Sequence, residues 1–219
     1  MFLLGVLCAL FVAVSSSEDY CSNIKEFCEN GIEINKSISY CSSKFGNITN
    51  LEKHLQIFAN TNIEYSYELL LMSSHFGSYK ANREGFKALY RKLSDKAWEN
   101  AITIIKFITK RGSKMNFISS INEHSDKNIF SLNEMESLVK AFQIEGRLTN
   151  QTIEIYSFAH HQHHYDPSVS YFIQEKFMEQ QTNYMRLLAG YINDLKLLLM
   201  SKNPSVAVFL FDEYLKSTM

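Results

Sequence analysis

The stretch Phe86-Lys-Ala-Leu-Tyr90-Arg-Lys-Leu-Ser-Asp95-Lys-Ala-Trp-Glu-Asn100-Ala-Ile-Thr-Ile-Ile105-Lys-Phe-Ile108 decides the fold. Phe86, Leu89, Leu93, Ala97, Ala101, Ile104 and Ile108 recur at steps of three and four, so they line one face of an α-helix. The charged residues fall on the opposite face. Arg111-Gly112 ends the pattern with a cation in the last turn and a glycine to turn the chain.

The same rhythm appears on both sides of this segment. Upstream, Leu51, Leu55, Phe58, Tyr65, Leu69, Met72 and Phe76 anchor a first long helix. Downstream, Ser131-Leu-Asn-Glu134 fits a capping box and opens a third helix through Leu138, Phe142, Glu145, Leu148, Thr152, Ile155 and Ala159. Asp166-Pro167 reads as the N-cap and first residue of a fourth, running through Phe172, Phe177, Gln181, Tyr184, Leu188, Tyr191 and Leu195. Pro204 breaks that pattern, and Ser205 to Leu215 supports one short final helix.

The links between these helices differ in kind. Short turns join the first helix to the second and the third to the fourth, so each pair is expected to be an antiparallel hairpin. Gly112 to Phe130, about nineteen residues, is long for a link inside a compact domain. A helix of about 27 residues is ~40 Å long, and an extended link of that length can cross it end to end. The expected fold is all-α: a four-helix bundle of two hairpins joined by a long crossover, with a short fifth helix.

Composition agrees. The chain has 219 residues, enough for one substantial domain, with only 8 Gly and 2 Pro to punctuate it. A net charge of -1 argues against nucleic acid as a partner.

The N-terminus points to export. Phe2 to Val14 is an unbroken apolar run, followed by Ser15, Ser16 and Ser17, as in the core and cleavage region of a signal peptide. It is too short for the ~20 residues of a membrane-spanning helix, so no membrane anchor is expected. The expected organisation is a signal peptide at 1–17, a disulfide-bearing arm at 18–47 and a helical domain at 48–219. Cleavage leaves Cys21, Cys28 and Cys41. Thiols in an oxidising compartment form disulfides, and three is an odd number. One intrachain bridge plus one cysteine for another subunit is the natural reading; a buried free thiol is the other. Sequence does not fix the pairing, and Cys28 with Cys41 is the preferred assignment, leaving Cys21 to reach outward. Asn35 and Asn47 begin sequons and are the expected glycan sites, while a third sequon at Asn150 falls inside a helix, which counts against it.

Several separated blocks carry a resemblance. Tyr65-Ser-Tyr-Glu-Leu-Leu70, Asn82-Arg-Glu-Gly-Phe86 and Lys110-Arg-Gly112 resemble the first two helices of ferritins. Leu187-Leu-Ala-Gly-Tyr-Ile-Asn-Asp-Leu195 and Val208-Phe-Leu-Phe-Asp-Glu-Tyr-Leu215 resemble their last two. The leader, the three-cysteine arm and Lys92 to Glu99 are most similar to secreted insect ferritin light chains. The resemblance implies a hollow shell of ferritin subunits storing iron as a ferric mineral. It further implies co-assembly with heavy-chain subunits through N-terminal disulfides, with the particle in the secretory pathway or extracellular.

Carried onto this chain, the family's di-iron positions are mostly replaced. The first-helix carboxylate falls on Asn62 and its tyrosine on Leu69, while the Glu-x-x-His pair falls on Ala97 and Asn100. Glu145 and Gln181 keep the family residue. Two close hard cations need several carboxylates, and one cannot hold them. Periodicity places Asn62, Asn100, Glu145 and Gln181 on inward stripes, so a polar layer is expected, with Glu145 hydrogen-bonded to amides. Light chains nucleate mineral on cavity carboxylates, for which this chain offers Asp95 and Glu99, interrupted by Lys92 and Lys96. The acidic channel positions fall near Tyr171 and Gln174, so ion entry would depend on partner subunits. His160, His161, His163 and His164 form the densest ligand cluster, with His160 and His164 expected to share a helical face.

The expected role is therefore a non-catalytic shell subunit. An active ferroxidase conflicts with Ala97 and Asn100. A secreted four-helix signalling protein would usually carry two long crossovers, whereas this chain shows one.

Overall fold

The computed structural model describes residues 28–30, 39–117, 133–161, 163 and 165–218. The chain divides into two compact units, Met1–Phe45 and Gly46–Met219. In the first, β1 (Cys28–Asn30) and β2 (Ser39–Cys41) pair antiparallel, with Cys28 opposite Cys41. Sequence periodicity gave no sign of these two short strands. Cys8, Cys21 and Asn35 lie outside the described residues.

The second unit is all-helical. It comprises α1 (Ile48–Phe76), α2 (Glu84–Lys110), α3 (Glu134–His160), α4 (Pro167–Ile173), α5 (Glu179–Leu199) and α6 (Pro204–Thr218). A single π-helical turn, Gln174–Met178, makes α4 and α5 one continuous run, the expected fourth helix. The apolar stripes meet in one core that includes Leu51, Phe58, Leu89, Ile104, Leu138, Phe177 and Leu188, all nearly sealed from solvent.

Two ion pairs fix the topology. Arg83, just before α2, meets Glu134 at the start of α3, with Nε and Oε1 3.0 Å apart. Arg111, just after α2, meets Asp166, just before α4, at 2.8 Å. Helices α2 and α3 therefore start at the same end and run parallel, so the link between them must travel the bundle's length. Its first residues do so along α1. The Gln56 amide donates to the Lys114 carbonyl at 2.6 Å and the Asn60 amide to the Asn116 carbonyl at 3.1 Å, while Lys114 N–H donates to Glu52. One helical turn of α1 thus matches each two-residue step of extended chain, since 5.4 Å and ~6.6 Å are near equal. Residues 118–132 of the link lie outside the described residues.

The helix ends follow their sequence signals, with one correction. Gly112 adopts φ +76°, and Ser113 N–H bonds the Ile108 carbonyl at 3.1 Å, closing α2 as expected. Asp166 caps α4 through Val169 N–H at 3.1 Å, with Pro167 behind it. For α3, the capping box is Asn133 with Glu136, not the predicted Ser131 with Glu134. Glu134 turns instead to Arg83.

The last helix is held by a close approach. A β-carbon on Gly85 would collide with the Asp212 carbonyl, so only glycine lets α6 cross the start of α2. The Asp212 carboxylate then accepts the Phe86 N–H at 3.0 Å, capping α2 from another helix.

Candidate functional site

Each of the four long helical runs carries a polar residue on its inward stripe, and by helix position these make up a polar layer. Asn62 comes from α1, Asn100 from α2, Glu145 from α3 and Gln181 from α5. Asn62, Asn100 and Gln181 are buried and Glu145 is half-buried, so the four inward stripes place these residues as their periodicity predicted. Leu69 and Ala97 are buried too, but contribute only hydrocarbon.

The hydrogen bonding of the layer is uneven. Asn62 donates its amide to the Phe58 carbonyl at 2.8 Å, and Gln181 donates to the Thr152 hydroxyl at 2.8 Å. Thr152 in turn donates to the Leu148 carbonyl. Among the described residues neither amide donates to Glu145, which corrects the expectation that amides would satisfy it. The Asn62 and Gln181 carbonyl oxygens are buried and receive no donor from the described residues.

With no partner supplied, burial lifts the Glu145 carboxyl to about 7. The buried carboxyl is therefore stabilised by neutralisation and not by donors. Burial, then the charges of Glu145 and Glu99, also push the half-buried Tyr184 phenol above its ordinary value, placing it in the field of both carboxyls.

As a donor set, this layer offers one carboxyl and neutral amides. The described residues contain no group of three or more His, Cys, Asp and Glu arranged for a metal ion. Two hard cations in so apolar a setting would keep most of their charge uncompensated, so these residues do not fit a di-iron centre.

The exposed flank of α2 is self-neutralised. Asp95 accepts from Arg91 at 2.9 Å, and Glu99 lies 3.4 Å from Lys96. Tyr171 and Gln174 are exposed, one on α4 and the other opening the π turn. Of the described histidines in this cluster, His160 lies in α3 and His161 and His163 lie beyond its end. α3 ends at His160, whose ring stacks on Tyr156, so the face expected to join His160 to His164 stops at its first member. The rings of His161 and His163 lie 5.6 Å apart beyond that end, and His164 lies outside the described residues.

A second polar cluster was visible in sequence only as isolated caps. Arg111 grips Asp166 with two hydrogen bonds, to Oδ1 at 3.2 Å and Oδ2 at 2.8 Å, and both residues are buried. Asp166 also accepts Asn47 N–H at 3.1 Å, so one carboxylate ties the ends of α1, α2 and α4. Burial pushes this carboxyl up, but the Arg111 guanidinium and the Val169 and Asn47 N–H groups prevail and hold it below its ordinary value. The only hint was a pair of helix-end signals, Arg111-Gly112 and Asp166-Pro167.

A bundle with one end-to-end crossover and a polar layer across its core has the architecture of ferritin-like proteins. A family model described as a ferritin-like domain matches residues 52–198. The chain is 34% identical to the ferritin light chain of Trichoplusia ni over 230 aligned positions, spanning 100% of this chain and 99% of the relative. It is also 34% identical to the ferritin light chain of Drosophila melanogaster over 216 positions, 95% and 94% of the two chains. The crystal structure of Trichoplusia ni secreted ferritin matches with a TM-score of 0.76 at 34% identity, covering 87% of this chain and 93% of that one. The chain belongs to the ferritin family.

Proposed function

We propose that this chain is a non-catalytic, light-chain-type subunit of a secreted ferritin shell. It helps to enclose a ferric mineral and leaves Fe(II) oxidation to heavy-chain subunits. Family membership supports iron storage. The light-chain assignment is supported by one observation: Asn62, Leu69, Ala97 and Asn100 are all buried on the inward faces of the first two helices, and none of them is a carboxylate or an imidazole. A site built to bind and oxidise iron needs anionic oxygens and imidazole at those places.

The surface supports assembly. On α6, Val206, Phe209, Leu210 and Tyr214 are all at least half exposed, with Leu197 and Met200 nearby in sequence. Apolar exposure of this kind marks a contact face, and a shell subunit has one to offer. Since Asp95 and Glu99 are already ion-paired, mineral nucleation on this subunit is weak. The exposed His160, His161 and His163 contribute only adventitious metal binding.

The organisation that fits is a signal peptide at 1–17, an arm at 18–47 and the ferritin-like domain at 48–219. The similarity to a secreted ferritin supports export through the secretory pathway. Directly opposed residues of an antiparallel pair have Cα atoms ~4.5–5.5 Å apart, within the span of a disulfide. The register of Cys28 opposite Cys41 therefore favours that intrachain bridge, leaving Cys21 for a heavy chain.

Stopped-flow oxidation of Fe(II) tests the central claim. The purified chain should be little faster than buffer, with oxidation restored on co-assembly with a heavy chain. A fast, saturable burst from this chain alone would overturn it.

A further inference from the structure

We propose that Asn150 carries an N-linked glycan lying over the exposed flank of α3, a proposal that rests on the secretory reading above. The sequon Asn150-Gln151-Thr152 sits in the middle of a helix, which argued against it in sequence. In three dimensions its parts separate. Asn150 is exposed, and its side chain forms no hydrogen bond within the described protein. Thr152, two residues on, is fully buried. Asn150 shares its flank with exposed Gln143, Arg147 and Glu154.

Ile153, three residues along that flank, is 51% exposed and is the one large apolar residue of α3 so exposed. Side chains three apart on a helix are neighbours, so the first sugar on Asn150 would lie against this otherwise wetted isoleucine. By contrast, the expected site Asn47 is half-buried at the start of α1. Its Oδ1 accepts from Asn50 at 2.6 Å, and its N–H is held by Asp166. Of these two sequons, Asn150 presents the more open side chain.

The chemistry sets the timing. A polyisoprenyl-pyrophosphate-linked oligosaccharide supplies the sugar. Its anomeric C–O bond to pyrophosphate breaks, a bond forms between that carbon and Asn150 Nδ2, and the amide proton leaves to the pyrophosphate side. The sequon hydroxyl must be available during transfer. In the folded bundle, Thr152 is locked between the Leu148 carbonyl and the Gln181 amide. Transfer therefore precedes closure of α3 onto the core. Afterwards only the exposed Asn150 need remain accessible, and it does.

The test uses the full chain secreted from insect cells under its own leader. Peptide-N-glycosidase treatment in heavy-oxygen water, followed by peptide mapping, should convert Asn150 to labelled Asp. Asn150→Gln should remove one discrete step of gel mobility while leaving particle size and melting temperature unchanged. A processed N-terminus with unmodified Asn150 would overturn this proposal alone. An unprocessed N-terminus would overturn the secretory reading and this proposal with it.

Discussion

Two sets of buried polar side chains in this bundle have opposite characters. At the end of the bundle, Asp166 has a full set of partners: a two-pronged guanidinium and two backbone N–H groups. In the middle, Asn62 and Gln181 leave carbonyl oxygens without donors among the described residues, and Glu145 is lifted towards neutrality by burial. Polar groups that hold a fold together come with their partners, because an unsatisfied buried group costs about 1–3 kcal/mol. The middle layer is not built that way.

The largest effect should come from breaking the Arg111–Asp166 cluster. Asp166→Ala strands the Arg111 charge in the interior and frees three helix ends, at a cost of about 3–5 kcal/mol. Denaturant unfolding measures it. Because the Asp166 carboxyl is held below its ordinary value, its contribution is present above that value and is lost as pH falls. A loss below 1 kcal/mol would mean that the two clusters differ less than their geometry says.

Glu145 should behave with the opposite sign. Its raised value means that stability is greatest below the ordinary carboxyl range and declines as pH rises through about 7. Glu145→Gln keeps the shape and removes the titration, so it should stabilise the chain at pH 8 by roughly 2–3 kcal/mol and flatten its pH profile. Thermal melts from pH 5 to 8 would show this, and an unchanged profile would place Glu145 in a better-solvated site.

Asn62→Leu should have the smallest effect, between neutral and about 1 kcal/mol stabilising, since it removes an unmatched acceptor. Destabilisation above 2 kcal/mol would show that a bound water or ion completes the layer. Glu145→Gln and Asn62→Leu together should be more stable at pH 8 than either alone.

Much of this was legible in sequence, for identifiable reasons. The inward stripes of Phe86 to Ile108 and of the other long helices follow from a 3.6-residue period that burial imposes on every turn. The crossover was legible because a long, weakly periodic link has few other uses between two hairpins. Less legible was anything requiring two distant segments at once. Nothing in the local sequence marks Gly85 as the place where α6 crosses. Glu134 was assigned to its own helix's cap, yet Arg83, 51 positions earlier, recruits it. The shared helical face of His160 and His164 required α3 to continue, and it stops.

The sequence by itself determined the class of bundle and the single long crossover. These depend on residue type and local period, which each stretch carries alone. Only the tertiary structure decided how the polar residues are satisfied: Asp166 with partners from three segments, Glu145 with none among the described residues, Asp95 and Glu99 paired with their neighbours, and Asn150 exposed above a buried Thr152. Hydrogen bonding and desolvation depend on what other parts of the chain bring within a few ångströms, and that information exists only once the helices have packed.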